Sequence, residues 1–298
     1  MATAYLAAEG FEDQLRVELG CRIVAEHGRL MICDGVASPA AWAANIWREA
    51  QEIEIASIGD AANRLRAIQR NWALYAPEHF RRARLIADRL PHVSARPIVF
   101  PTPAPTAPLG SWTLLAPDRM LAAAECSSAF PNGEIEFVED RAGPPNRAYL
   151  KLWEALTRLR RYPQAGETCL DLGASPGGWT FVLAGLGASV IAIDKSPLDA
   201  KVAAMAGVQW RQDSAFALDP AEFGRIDWLF CDVICYPARL LKMVQRWLEQ
   251  GSVRNFVCTL KFQGETDHDT ARAFAAIEGS QLFHLHHNKH ELTWALLR

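Results

Sequence analysis

Lys151, Asp232, Lys261 and Glu291 stand at the margins of apolar runs in the second half of the chain. Lys151 lies in a helical stretch ahead of the first of these runs. Asp232 follows Asp227–Cys231, Lys261 follows Phe256–Leu260, and Glu291 opens the last run. In an open α/β sheet, ligands bind in the crevice outside the carboxyl ends of the strands, so charges at such positions overlook a ligand. Two lysines and two carboxylates suit proton removal from a hydroxyl, which is a poor nucleophile near pH 7 and needs a base as it attacks. A lysine serves as that base when burial and a second ammonium favour its neutral form. Seen singly, each of these lysines reads first as an ordinary surface salt bridge.

A second constellation lies at residues 168–180, Thr-Cys-Leu-Asp-Leu-Gly-Ala-Ser-Pro-Gly-Gly-Trp-Thr. The apolar run to Leu172 predicts a strand and the stretch from Trp179 a helix, so Gly173, Gly177 and Gly178 fall in a strand-to-helix turn. Backbone without Cβ atoms lies close to a ligand, and the N–H groups of a helix start suit a carboxylate. Neither Gly-x-Gly-x-x-Gly nor Gly-Lys-Ser/Thr is present, which argues against nicotinamide and nucleoside triphosphate sites. Asp194 ends the next predicted strand, where an acid commonly accepts ribose hydroxyls. Asp171 is expected to pin the turn through backbone N–H groups. Trp179 walls the pocket or packs in the core.

The elements that position these residues alternate regularly. Strands are predicted at 168–172, 189–193, 207–211, 226–231, 254–260, 281–286 and 291–297, with helices near 177–186, 198–205, 237–249 and 268–277. Such alternation implies a mainly parallel, seven-stranded sheet covered by helices, closed by an antiparallel hairpin at its edge. Ahead of it, residues 147–161 predict a helix. Residues 1–95 read as a small α+β domain: a strand at Tyr5–Ala7, helix Phe11–Leu19, strand Leu30–Cys33, helix Ala40–Ala50, an alternating strand Glu52–Ser57 and helix Arg81–Leu90. Five prolines mark 96–110 as an extended linker, and 111–145 is left as a connecting segment before a domain at 146–298.

Several strings resemble the FtsJ-like family of RNA ribose 2′-O-methyltransferases. They are Asp171-Leu-Gly-Ala-Ser175-Pro176-Gly-Gly-Trp179, then Asn146-Arg147 to Lys151-Leu152, Cys231-Asp232-Val233, Leu260-Lys261-Phe262 and His290-Glu291-Leu292-Thr293. They span residues 146–298, and Pro145–Ala155 with the His-Asn-Lys-His-Glu-Leu-Thr ending is most similar to the bacterial branch that methylates a cytidine ribose of 23S ribosomal RNA. The resemblance implies a Rossmann-like methyltransferase fold and S-adenosylmethionine bound by Asp171, Gly173, Ser175, Pro176, Gly177, Gly178, Trp179, Asp194, Asp213 and Asp232. It also implies a catalytic set of Lys151, Asp232, Lys261 and Glu291. Lys261 would be the base and Lys151 its partner in orienting the hydroxyl. Asp213 would accept from the adenine amino group. That branch carries an RNA-binding front half containing a THUMP domain; here residues 1–110, to the end of the proline-rich stretch, are short for that front half, and residues 1–95 resemble a reduced or diverged version. Two other readings share the fold: an RNA-binding protein that has lost activity, and a methyltransferase for a substrate other than RNA.

Composition narrows the partners. The net charge of −3 is unevenly spread: residues 1–60 carry −6, residues 61–96 carry +6 and residues 141–161 carry +5. The basic blocks suit a phosphate backbone, or a solvated helix face. Seven cysteines without a Cys-x-x-Cys pair argue against disulfide scaffolds and zinc ribbons. His284, His286, His287 and His290 cluster without cysteine or carboxylate at zinc spacing, so no metal is expected. The absence of a long apolar run or a basic-then-apolar leader predicts a cytoplasmic protein without membrane contact. RNA is the expected partner, with no obligate protein partner evident.

Overall fold

The computed structural model describes residues 2–298. The chain forms two compact units: residues up to Ile98 with Ala104–Glu136, and Val99–Pro103 with Phe137–Arg298.

The first unit contains β1 (Ala2–Ala7), α1 (Glu12–Leu19), β2 (Ile23–His27), β3 (Leu30–Asp34), β4 (Ala43–Glu54), α2 (Ile58–Ile68), β5 (Trp72–Leu74), α3 (Phe80–Ala87), β6 (Gly110–Ala116), β7 (Arg119–Ala123) and β8 (Glu125–Cys126). Its sheet runs β2-β3-β1-β4-β7-β6-β5, with β8 also on β4. Two expectations are corrected here. Residues 40–50 are not helical, because β4 pairs with β1 along its first half, with Tyr5 opposite Ile46 and Ala4 opposite Trp47. Cross-strand packing overrides the helix preference of the alanines. Nor are residues 111–145 a connector. β6 and β7 form a hairpin whose Trp112, Leu114, Met120 and Ala122 share one core with Ala61, Leu65, Ala83 and Ile86 of α2 and α3. Of the proline-rich stretch only Val99–Pro103 goes with the second unit. α2 has a reciprocal cap, in which Ser57 Oγ accepts from Asp60 N and Asp60 Oδ2 accepts from Ala56 N.

The second unit contains α4 (Tyr149–Leu159), β9 (Thr168–Leu172), α5 (Gly178–Gly185), β10 (Ser189–Asp194), α6 (Ala200–Ala203), β11 (Val208–Gln212), β12 (Ile226–Cys231), α7 (Pro237–Gln250), β13 (Val253–Lys261), α8 (His268–Ala275), β14 (Ser280–Phe283) and β15 (Glu291–Leu296). The order is β11-β10-β9-β12-β13-β15-β14. The first five strands are parallel, and β15 is antiparallel to β13 and β14. β9, β12 and β13 are buried along nearly their whole length, as strands covered on both faces are. From β9 the chain winds one way through β10 and β11, then returns to build β12 and β13 on the other side. The loops after β9 and β12 therefore meet at the topological switch point. No helix among the described residues is long and apolar enough to cross a membrane.

Candidate active site

Register brings the charged residues together. Lys261 ends β13 directly opposite Glu291, the first residue of β15. Asp232, whose N–H donates to Leu172 O, leaves β12 beside the end of β9. α4 then lays Lys151 across them. Lys151 Nζ is 3.2 Å from each carboxylate oxygen of Asp232 and 3.1 Å from Glu291 Oε1. Lys261 Nζ is 3.0 Å from Asp232 Oδ1 and donates to the Asp232 carbonyl at 2.6 Å. The four side chains are only 10–18% exposed. Asp232 thus carries both lysines, and Glu291 holds Lys151 alone. Burial pulls Lys151 toward its neutral form, but the two carboxylates outweigh it and raise its pKa above the ordinary lysine value, so Lys151 is charged.

The glycine turn lies at the neighbouring strand end. Gly173 N and Ala174 N both donate to Ile193 O, which folds the turn against β10. Gly173 has φ 78°, and a Cβ there would sit 2.6 Å from Val233 Cγ2 and 3.0 Å from Val233 Cα. Only glycine fits. The turn is braced by Asp194: Oδ2 accepts from Ser175 N at 3.0 Å and Oδ1 from Ser196 N at 2.9 Å. Ser175 Oγ donates to Pro197 O, and Pro176 O accepts from Asp199 N.

Asp171 has a different place from the one expected. It pins the first turn of α5, not the glycine turn, because its Oδ2 accepts from Thr180 Oγ1 at 2.6 Å while Oδ1 is buried without a hydrogen-bond partner. Burial, reinforced by the Asp232 and Asp194 carboxylates and opposed by Thr180, pushes its pKa up to about 7. Trp179 is core rather than exposed wall. It is 4% exposed, donates from Nε1 to Ala148 O and meets Phe230 edge-on. Gly178 admits Asn146, whose Oδ1 would stand 2.2 Å from a Cβ there. Gly177 caps α5 at φ 117°. Asp213 joins the group through its N–H, which donates to Asp194 O. Its own oxygens accept from Ser214 N and Arg211 Nη2, both at 2.7 Å.

The histidine cluster is structural scaffolding around a residue that sequence reading missed. Glu154, one turn beyond Lys151 on α4, is wholly buried. It accepts from His286 N at 2.8 Å, His287 N at 2.9 Å and His287 Nδ1 at 2.7 Å, and it pairs with Arg158 at 3.0 Å. Burial alone would raise its pKa, but Arg158 and His287 hold it below the ordinary carboxylate value. Arg158 in turn donates to His284 O. His284 lies beyond the end of β14, its Nε2 hydrogen-bonds Lys289 O, and burial lowers its pKa to about 4, so it is neutral. The loop that delivers Glu291 to Lys151 is thereby tied to the helix that carries Lys151. Among the described residues no group of three or more His, Cys, Asp or Glu is arranged to hold a metal ion.

The second basic block is largely committed inside its unit. Lys151 and Arg158 are paired as above, Arg147 pairs with Glu139, and Arg161 lies over the Trp228 ring. In the first block Arg64 pairs with Asp60 and Arg84 with Asp88, while Arg81 is exposed.

The model of the FtsJ-like methyltransferase family matches residues 144–279. Ribosomal RNA large subunit methyltransferase M of Halorhodospira halophila is 36% identical over 157 residues, covering 50% of this chain and 46% of that protein. Its namesake from a Marinomonas species is 30% identical over 191 residues, covering 58% and 54% respectively. The chain thus spans about half the length of the curated relatives it matches. The glycine turn, Asp171, Asp194, Asp213, Asp232, Lys151 and Lys261 all fall inside the stretch that the FtsJ-like methyltransferase model matches, and Glu291 lies just beyond it.

Proposed function

We propose that the chain is an S-adenosylmethionine-dependent methyltransferase acting on a ribose 2′-hydroxyl of RNA, with 23S ribosomal RNA in the cytoplasm as its substrate. The observation that carries this reading is the attachment of Lys151 and Lys261 to one carboxylate, Asp232, beside the glycine turn at the switch point.

The residues present suit the methyl donor. Asp171, Asp194 and Asp232 crowd the turn closely enough that the latter two raise the pKa of the first, and Asp171 Oδ1 is buried unpartnered. A cationic ligand relieves that accumulation of negative charge. Gly173, Ser175, Pro176, Gly177 and Gly178 supply backbone for the donor to lie against. Asp194 takes its ribose hydroxyls, Asp213 its adenine amino group, and Trp179 supports α5 from the core. S-adenosylmethionine supplies a methyl group activated by a sulfonium. Lys261 takes the proton from the attacking 2′-hydroxyl, and Lys151, kept charged by two carboxylates, orients the hydroxyl oxygen. Asp232 fixes the distance between the two amines, and Glu291 fixes Lys151. The exposed arginines of the first unit, Arg81 foremost, provide sequence-independent attraction for phosphates.

Mapping 2′-O-methyl positions in ribosomal RNA from cells with and without the gene tests the reading. One position should lose its methyl group in the deletion strain and regain it on complementation. An unchanged map would refute ribosomal RNA as the substrate.

A further inference from the structure

The loop that follows Asp232 alternates buried and exposed apolar residues. Cys235 is 7% exposed and Pro237 is buried at the start of α7, whereas Ile234 and Tyr236 are 76% and 65% exposed. Two large apolar side chains held outward by anchored neighbours are unusual on a loop, which normally presents polar groups. The loop is well fixed. Val233 packs against Gly173 of the glycine turn, and the Tyr236 carbonyl accepts from Arg239 N at 2.9 Å and Leu240 N at 3.3 Å. Four residues of extended chain reach no more than about 14 Å, so Tyr236 stands at the rim of the site that begins at Asp232. Beside it, Arg239 lays its guanidinium 3.9 Å from the centroid of Phe216. A guanidinium is planar and its N–H donors point outward in its own plane, so contact of its face with a ring leaves them available to a phosphate.

We propose that Ile234 and Tyr236 form the platform on which a base of the substrate RNA stacks, with Arg239 meeting an adjacent phosphate, so that the loop after Asp232 sets the acceptor ribose over Lys151 and Lys261. The inference rests on the RNA ribose-methylation reading. Aromatic stacking holds single-stranded bases without demanding a particular hydrogen-bonding edge, and an adjacent cation supplies the backbone contact, which together match an exposed Tyr-Ile pair next to an arginine.

The test uses the full chain, in-vitro transcribed 23S ribosomal RNA and radiolabelled S-adenosylmethionine. Tyr236→Ala should raise KM for RNA roughly 5- to 150-fold, the range that loss of one stacked base corresponds to, with donor affinity by calorimetry unchanged. Tyr236→Phe keeps the ring and should behave as wild type, while Ile234→Ala should raise KM by a smaller factor. An unchanged KM in Tyr236→Ala overturns the platform and points the patch toward a protein partner. Equal losses in RNA and donor binding also overturn it, since they show a structural role. A wild-type protein that methylates no RNA refutes the function itself and the platform with it, whereas an active wild type with insensitive variants refutes the platform alone.

Discussion

Replacing Asp171 by asparagine should change how stability depends on pH. The carboxyl is wholly buried, keeps one hydrogen bond from Thr180, and has its pKa pushed from 3.8 to about 7 chiefly by burial. A carboxyl with a raised folded-state pKa binds its proton more tightly in the native protein, so stability is greatest at low pH and declines as pH rises from the unfolded value toward 7. At about 1.36 kcal/mol per pH unit, wild type should lose roughly 2 to 3 kcal/mol between pH 5 and pH 8 that Asp171→Asn does not lose. Asparagine adds its own constant cost, an amide facing the unpartnered Oδ1 position, but that cost does not vary with pH. Urea unfolding at half-unit pH steps measures the effect, following the transition of the unit that holds Asp171, since the two units need not unfold together. Parallel stability curves for the two proteins would refute the argument. The same charge logic predicts that S-adenosylmethionine binding strengthens from pH 6 to pH 8 more than binding of S-adenosylhomocysteine, which lacks the sulfonium charge.

Glu154→Gln leaves Arg158 without its buried counter-charge and should cost about 3–5 kcal/mol, read from the denaturation midpoint. Because the folded-state pKa of Glu154 is depressed below its ordinary 4.5, that wild-type advantage should persist above this pH and fade as pH falls through the folded value. Asp194→Ala should abolish donor binding in calorimetry, since the residue is proposed to take the donor's ribose hydroxyls and it holds Ser175 N. Retained affinity would count against both roles. The triple variant Arg81→Ala, Arg82→Ala, Arg84→Ala should weaken RNA binding and flatten its salt dependence, with donor affinity unchanged. An unflattened slope would assign these side chains to solvent.

The second unit was legible because its strands are bounded by turns, and α6, α7 and α8 open on a proline or a capping side chain. Pro237 opens α7, and Asp267 accepts from Thr270 N at the start of α8. The charged tetrad was legible for a related reason, since strand ends can be located in sequence and three of its members stand there. Which carboxylate braces the glycine turn was not legible. Asp171 and Asp194 both lie at the ends of parallel strands, and only the fold of the turn onto β10 decides that Ser175 N meets Asp194. Glu154 offered one local signal, Arg158 four residues on. Its other partners, His286 and His287, lie more than 130 residues away. The front unit was hardest to read. The alanines of residues 40–50 suit a helix locally, and β4 is set by β1 and β7, distant in sequence; the β6–β7 hairpin is local, but its place in the sheet is set by its pairing with β4 and β5.

The central claim is that Lys261 removes the proton from a ribose 2′-hydroxyl while Asp232 and Lys151 hold the geometry. Its most direct test is the rate of methyl transfer to 23S ribosomal RNA by Lys261→Ala, measured under saturating donor and alongside donor affinity. The account predicts a fall in kcat on the order of 100- to 10,000-fold with S-adenosylmethionine binding nearly intact, the mark of a lost general base. Near-wild-type turnover by Lys261→Ala would contradict it.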